Sequence, residues 1–166
     1  MTIVYAIIKR GFWCSKEAGR GVIQDQVSIG GDALPWANQT AFAELMLSWE
    51  MRSWHEAEGQ TQPCFFDRGI PDVAGYLHLS ALNIPRHLEN AIEKFRYNRT
   101  VFIAPPWRDI YVQDTERKQS FDVAVATYHA MVKTYRMYDY QLIELTCVSV
   151  DERVDFILSR INRHYT

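Results

Sequence analysis

The sequence predicts an α/β fold, a three-layer sandwich in which a mainly parallel sheet lies between helices. Two observations predict it. Short apolar runs with little polar alternation recur along the chain, as strands covered on both faces require. Between them lie longer stretches in which apolar residues return every three or four positions, as in amphipathic helices. Such alternation of strand and helix implies βαβ units.

The expected strands are Ile3 to Ile8, Phe12 to Ser15, Cys64 to Asp67, Thr100 to Ala104 and Gln141 to Leu145. One helix is expected to begin near Ser15. Ala41, Leu45, Leu47, Trp49 and Trp54 mark the next, and Val73, Tyr76, Leu77 and Leu79 another. Leu88, Ala91, Ile92 and Phe95 mark a fourth. The stretch from Phe121 to Tyr138 carries Val125, Tyr128, Met131, Val132 and Tyr135 at helical spacing. The last helix holds Val154, Ile157, Leu158 and Ile161, and is opened by Ser149 and Glu152 in the order of a capping box. No repeat, linker or low-complexity tract divides the 166 residues, which read as a single domain.

Composition excludes several classes. Hydrophobic residues make up 48% and charged residues 23%, which argues against disorder. A formal charge of −2 offers no basic field, so nucleic acid is not an expected partner. No apolar run approaches the ~20 residues that span a bilayer, and no signal peptide is visible. The chain is expected to be soluble and cytoplasmic. Cys14, Cys64 and Cys147 form no CxxC pair and read as buried thiols. The five histidines show no metal-ligand spacing.

Ligands of open α/β folds sit beyond the carboxyl ends of the strands, so the strand endings are the places to search. Three endings are charged: "SKEAGR", "DRGIPD" and "PPWRD". Asp67 can hold Mg²⁺, directly or through water, and Arg68 beside it can neutralise phosphate oxygens. Equally, Asp67 can cap the following helix while Arg68 pairs with Asp72. Glu17 and Arg20 lie three apart, so they can pair or both face one ligand. In a phosphotransfer site the carboxylate would orient or deprotonate an acceptor hydroxyl and the arginine would hold a phosphate. Arg108, Arg117 and Lys118 lie in a segment that reads either as a lid over a triphosphate or as a solvated helical face. The loop "GGDALPW", with Asp32 and Trp36, suits packing over a planar ligand, or simply covers the edge of the core.

Together "KEAGRGVI", "GGDALPWA", "FFDRGIPDV", "FIAPPWRDIYVQDTERKQSF" and "VSVDERVDFIL" resemble a family of small bacterial P-loop ATPases. This is the AAA-type domain also found in the nicotinamide riboside kinase portion of NAD-biosynthesis regulators. The resemblance runs from about Lys9 to the C-terminus. It implies a P-loop NTPase, kinase-like fold that binds ATP with Mg²⁺ and acts on a small-molecule acceptor not yet identified. By this resemblance Asp67 is the Walker B-like carboxylate, Glu17 and Arg20 face the acceptor, and Arg117 belongs to the lid.

The sequence departs from the family at its start. No G-x-x-x-x-G-K-[ST] occurs in the 166 residues; against the family pattern the loop is skipped between about residues 6 and 9, where a first strand is expected to run straight into Arg10, Gly11 and Phe12. The backbone cradle, the lysine and the Mg²⁺-bound hydroxyl that such a loop supplies are therefore missing. Taken alone, these residues are expected to hydrolyse ATP weakly or not at all. The other reading is a catalytically inactive relative that works as a binding module. Loss of the first helix would uncover a sheet face, which predicts aggregation or a homodimer.

Overall fold

Ile3–Lys9, the expected first strand, is a helix. The computed structural model describes residues 2–107 and 115–165, the side chains of 115–119 and 162–165 excepted. Its elements are, in order, α1 (Ile3–Lys9), β1 (Trp13–Cys14), α2 (Ala18–Ile29), α3 (Gln39–Ala57), β2 (Cys64–Phe65) and α4 (Ile70–Leu79). There follow α5 (Arg86–Lys94), β3 (Thr100–Ile103), α6 (Thr115–Met137), β4 (Gln141–Glu144) and α7 (Val150–Tyr165).

The physical signs of α1 are local. Thr2 caps it, its hydroxyl accepting the Tyr5 N–H at 3.2 Å. Gly11, at φ +92°, turns the chain out of it. Ala6 and Ile7 are buried while Tyr5 and Ile8 are half exposed, a helical pattern rather than the alternation of a strand. A short unbroken apolar run carries no period that tells the two apart, which is why the sequence misled. The helix runs without a break through residues 6–9, where the sequence suggested a skipped loop. It also packs on α7, Ala6 and Ile7 meeting Val154 and Ile157. An uncovered sheet face, the ground for expecting a homodimer, therefore does not arise from a missing first helix.

The remaining four strands fall where the sequence placed them, each of them shorter. β1 pairs parallel with β2, Trp13 opposite Cys64 and Cys14 opposite Phe65. β3 pairs parallel with β4, from Thr100 opposite Gln141 to Ile103 opposite Glu144. The parallel pairing expected of βαβ units is present, but the described strands form two two-stranded sheets rather than one sheet in a three-layer sandwich. A shared core joins them: Cys14, Phe65 and Phe102 pack against the cluster under α1 and α7.

A second core lies between α3, α4 and α5, centred on Ile70, Leu88 and Ile92, which are almost wholly buried. Each such side chain contributes about 1.5–3 kcal/mol. α4 approaches α6 so closely that a Cβ at Gly75 would overlap the Met131 sulfur. At the carboxyl ends of β1 and β2 one residue, Ser15, ties the loops together through its backbone and its side chain. The Ser15 N–H donates to the Phe65 carbonyl at 2.8 Å, and the Ser15 hydroxyl accepts the Asp67 N–H at 2.9 Å.

Candidate functional site

The turn that follows β2 is built by its neighbours. Arg68 adopts φ +70°, in the left-handed region. Gly69 is extended and lies against the Tyr97 ring, 2.9 Å from where a Cβ would stand. The Gly69 N–H donates to Asp72 Oδ2 at 2.8 Å, and the Asp72 N–H donates back to the Gly69 carbonyl at 3.0 Å. This reciprocal pair starts α4, with Pro71 in its first turn. The Ile70 N–H is taken by the Tyr97 hydroxyl at 3.0 Å.

This arrangement differs from the structural reading of the turn on both counts. Asp72, not Asp67, caps α4, so capping does not explain Asp67. Arg68 pairs with Glu17 rather than Asp72, its Nε 3.8 Å from Glu17 Oε1. That pair is partly exposed and long, so it contributes at most about 1 kcal/mol. Burial raises the Asp67 pKa and Glu17 raises it further, while Arg68 and Arg20 partly offset them. Asp72 is also raised by burial, against the hydrogen bonds it accepts from Tyr135 and Gly69.

Beside the turn lies a cavity of about 710 Å³. Glu17, the residue that begins α2, and Arg20 one turn into it line one side, with Arg68 and Asp72 nearby. Glu17 and Arg20 thus face one space, as their spacing allowed, although Glu17 takes its ion pair from Arg68. Phe42, Met46, Tyr76 and Met131 make the apolar wall. Phe42 and Tyr76 meet edge to face with ring centres 5.4 Å apart.

Sequence reasoning missed Glu50, which also lines this cavity. It is 2% exposed, and among the described residues its Oε2 has no hydrogen-bond partner. Burial first, then Asp72, Asp67 and Glu17, push its carboxyl up to about 8. The signal was its place on the stripe Ala43, Leu47, Glu50 and Trp54, spaced by four, three and four.

Other expected site residues are not brought here. Asp32 is exposed, Trp36 is 68% exposed, and neither lines the cavity. Arg108 lies outside the described residues, and Arg117 falls at the start of α6 with its side chain outside them. Among the described residues no three His, Cys, Asp or Glu side chains gather as a metal site. Asp67 would therefore supply a single carboxylate to an ion that keeps much of its water, as Mg²⁺ does.

Parallel strands with helical crossovers and a charged cavity at the strand ends are the layout of an α/β ligand-binding domain. A family model described as an AAA domain matches residues 2–153, and the chain belongs to that family of nucleotide-binding P-loop ATPases. No curated protein and no solved structure matches it significantly. Among the described residues no helix is long and apolar enough to cross a membrane.

Proposed function

We propose that the protein transfers the γ-phosphate of ATP to a small molecule held in the cavity, in the manner of the nicotinamide riboside kinase-like branch of its family. The observation that carries this reading is the convergence of Glu17, Arg20 and Arg68 on one cavity beside Asp67. Carboxylate and guanidinium groups at one strand-end cavity are what an acceptor hydroxyl and a phosphate both require.

In this reading Glu17 orients the acceptor hydroxyl and takes its proton as the oxygen–phosphorus bond forms. The bond from the γ-phosphorus to the departing nucleoside diphosphate breaks in the same displacement. Arg20 and Arg68 hold phosphate oxygens and balance their charge, and Arg108 and Arg117 close over the triphosphate. Asp67 would hold Mg²⁺, which supplies charge neutralisation at the phosphates when bound. The fit for Mg²⁺ is sound, because burial and the nearby Glu17 raise the cost of ionising Asp67 and a cation would relieve it.

Within these 166 residues no G-x-x-x-x-G-K-[ST] is present to cradle a triphosphate. The second reading is a family member that binds but does not turn over. A thermal-shift titration with MgATP, followed by assay of ADP release, separates the two. The transferase reading expects a rise in melting temperature and ADP release that depends on an acceptor. Both should vanish in Asp67→Asn while the unliganded melting temperature stays nearly constant. A shift without ADP release supports the binding module. No shift at all, or a large stability loss in Asp67→Asn, overturns the role given to Asp67.

A further inference from the structure

The proposed transfer employs Glu17, Arg20, Arg68 and Asp67 and leaves Glu50 without a task. Glu50 occupies a helix position whose neighbours along the stripe, Ala43 and Leu47, are buried and apolar. A leucine or methionine there would avoid burying an unpaired polar group. Yet Glu50 lines the cavity, and its buried Oε2 has no hydrogen-bond partner among the described residues. It answers to something other than folding.

Its surroundings define its chemical state. Asp72 on α4, Asp67 in the β2–α4 turn and Glu17 before α2 all oppose its ionisation, and Arg68 favours it. Tyr97, after α5, and Tyr135, on α6, also face it and keep their protons. Glu50 is thus a neutral carboxylic acid at neutral pH, able to donate one hydrogen bond and accept another. A ligand hydroxyl has the matching pair of roles. The apolar wall of Phe42, Met46, Tyr76 and Met131 suits a hydrocarbon or aromatic body carrying that hydroxyl.

We propose that Glu50 is the recognition residue of this cavity, its unpartnered carboxyl taking an uncharged hydroxyl carried on an apolar body. A carboxylate in the same place meets three acidic neighbours, so selection at Glu50 runs against the anion and toward the neutral molecule. This rests on the reading of the cavity as the acceptor site, but the binding step is separable from nucleotide chemistry.

The test is a titration with benzyl alcohol and benzoate, two probes that share a ring and differ in their polar end. It is run without nucleotide or Mg²⁺ at pH 6.5 and followed by protein NMR. Benzyl alcohol is expected to bind about tenfold more tightly than benzoate. Glu50→Leu should lose that preference. Glu50→Gln should keep it, and should also abolish the weakening of benzyl alcohol binding expected of the native protein above pH 8. Equal affinities, a preference for benzoate, absence of binding by both, or an unchanged preference in Glu50→Leu would overturn the proposal. If Glu50→Leu does not fold, the pH comparison between native protein and Glu50→Gln decides alone. Benzyl alcohol selectivity without a MgATP shift keeps this inference and ends the transferase reading; a MgATP shift without selectivity does the reverse.

Discussion

Tyr135 and Asp72, 63 positions apart, are joined by a hydrogen bond of 2.5 Å from the phenolic hydroxyl to Asp72 Oδ2. The same oxygen accepts the Gly69 N–H, so one atom both caps α4 and fastens the charged turn to α6. Asp72→Ala would leave two buried donors without a partner, and should cost about 2–4 kcal/mol. Tyr135→Phe removes one donor and leaves the cap intact, and should cost about 1 kcal/mol. Urea denaturation of both variants checks the order; equal losses would mean that the cap and the tether are not carried by one oxygen.

Arg68 is the strained member of the turn. A non-glycine residue at φ +70° sacrifices about 1 kcal/mol that glycine would not. Its ion pair with Glu17 is too long and exposed to offset much of this. Arg68→Gly should therefore leave stability unchanged or raise it by up to about 1 kcal/mol, while it abolishes any MgATP-dependent thermal shift. Strain kept at a position where glycine would relieve it is expected of a binding residue. A clear loss of stability in Arg68→Gly, with the nucleotide shift retained, would make Arg68 structural.

Glu50 gives the fold a pH dependence of definite sign. Its carboxyl rises from an ordinary value of 4.5 to about 8, chiefly through burial. The folded state binds a proton that the unfolded state has released, so this contribution is complete below about 4.5 and is lost as pH rises through about 8. The slope between those limits is at most about 1.4 kcal/mol per pH unit. Asp67 and Asp72, also raised, bend the curve the same way in both proteins. Glu50→Gln should match the native protein near pH 5 and exceed its melting temperature at pH 9. Parallel curves across that range would show that Glu50 does not titrate there.

What the sequence reveals depends on whether a signal is local. The turn after β2 is legible because Asp67, Arg68, Gly69 and Pro71 change residue chemistry abruptly at the end of an apolar run. Ser149 and Glu152 are legible for the same reason: the Glu152 carboxylate accepts the Ser149 N–H at 3.1 Å, and the Ser149 hydroxyl accepts the Glu152 N–H at 3.2 Å. Which acid caps α4 is not legible. Asp67 and Asp72 both stand near the helix start, and only the approach of Tyr135 from α6 and Tyr97 from beyond α5 fixes the geometry. Glu50 hides differently, since one glutamate in a polar-looking helix reads as solvated unless its place on the apolar stripe is counted. The cavity is a tertiary object, assembled from α2, α3, α4 and α6, whose mutual approach no local pattern encodes.

The assignment of Ile3–Lys9 as a helix makes a prediction that separates it from the strand suggested by its composition. In a strand Tyr5 and Ile7 share a face, because side chains alternate with a period of two. In the helix they are rotated apart: Ile7 is 3% exposed and Tyr5 51%. Ile7→Ala should therefore cost about 2–4 kcal/mol, through lost burial and the cavity left against Val154 and Ile157. Tyr5→Ala should cost well under about 1 kcal/mol, as exposed substitutions do. The Arg10–Asp155 pair, 2.7 Å long but exposed on both sides, also ties α1 to α7, and Arg10→Ala should cost less than about 1 kcal/mol. Apolar contact thus holds α1 in place and the ion pair only trims it. Chemical denaturation of the three variants gives the ranking. Similar losses for Tyr5→Ala and Ile7→Ala would restore the strand.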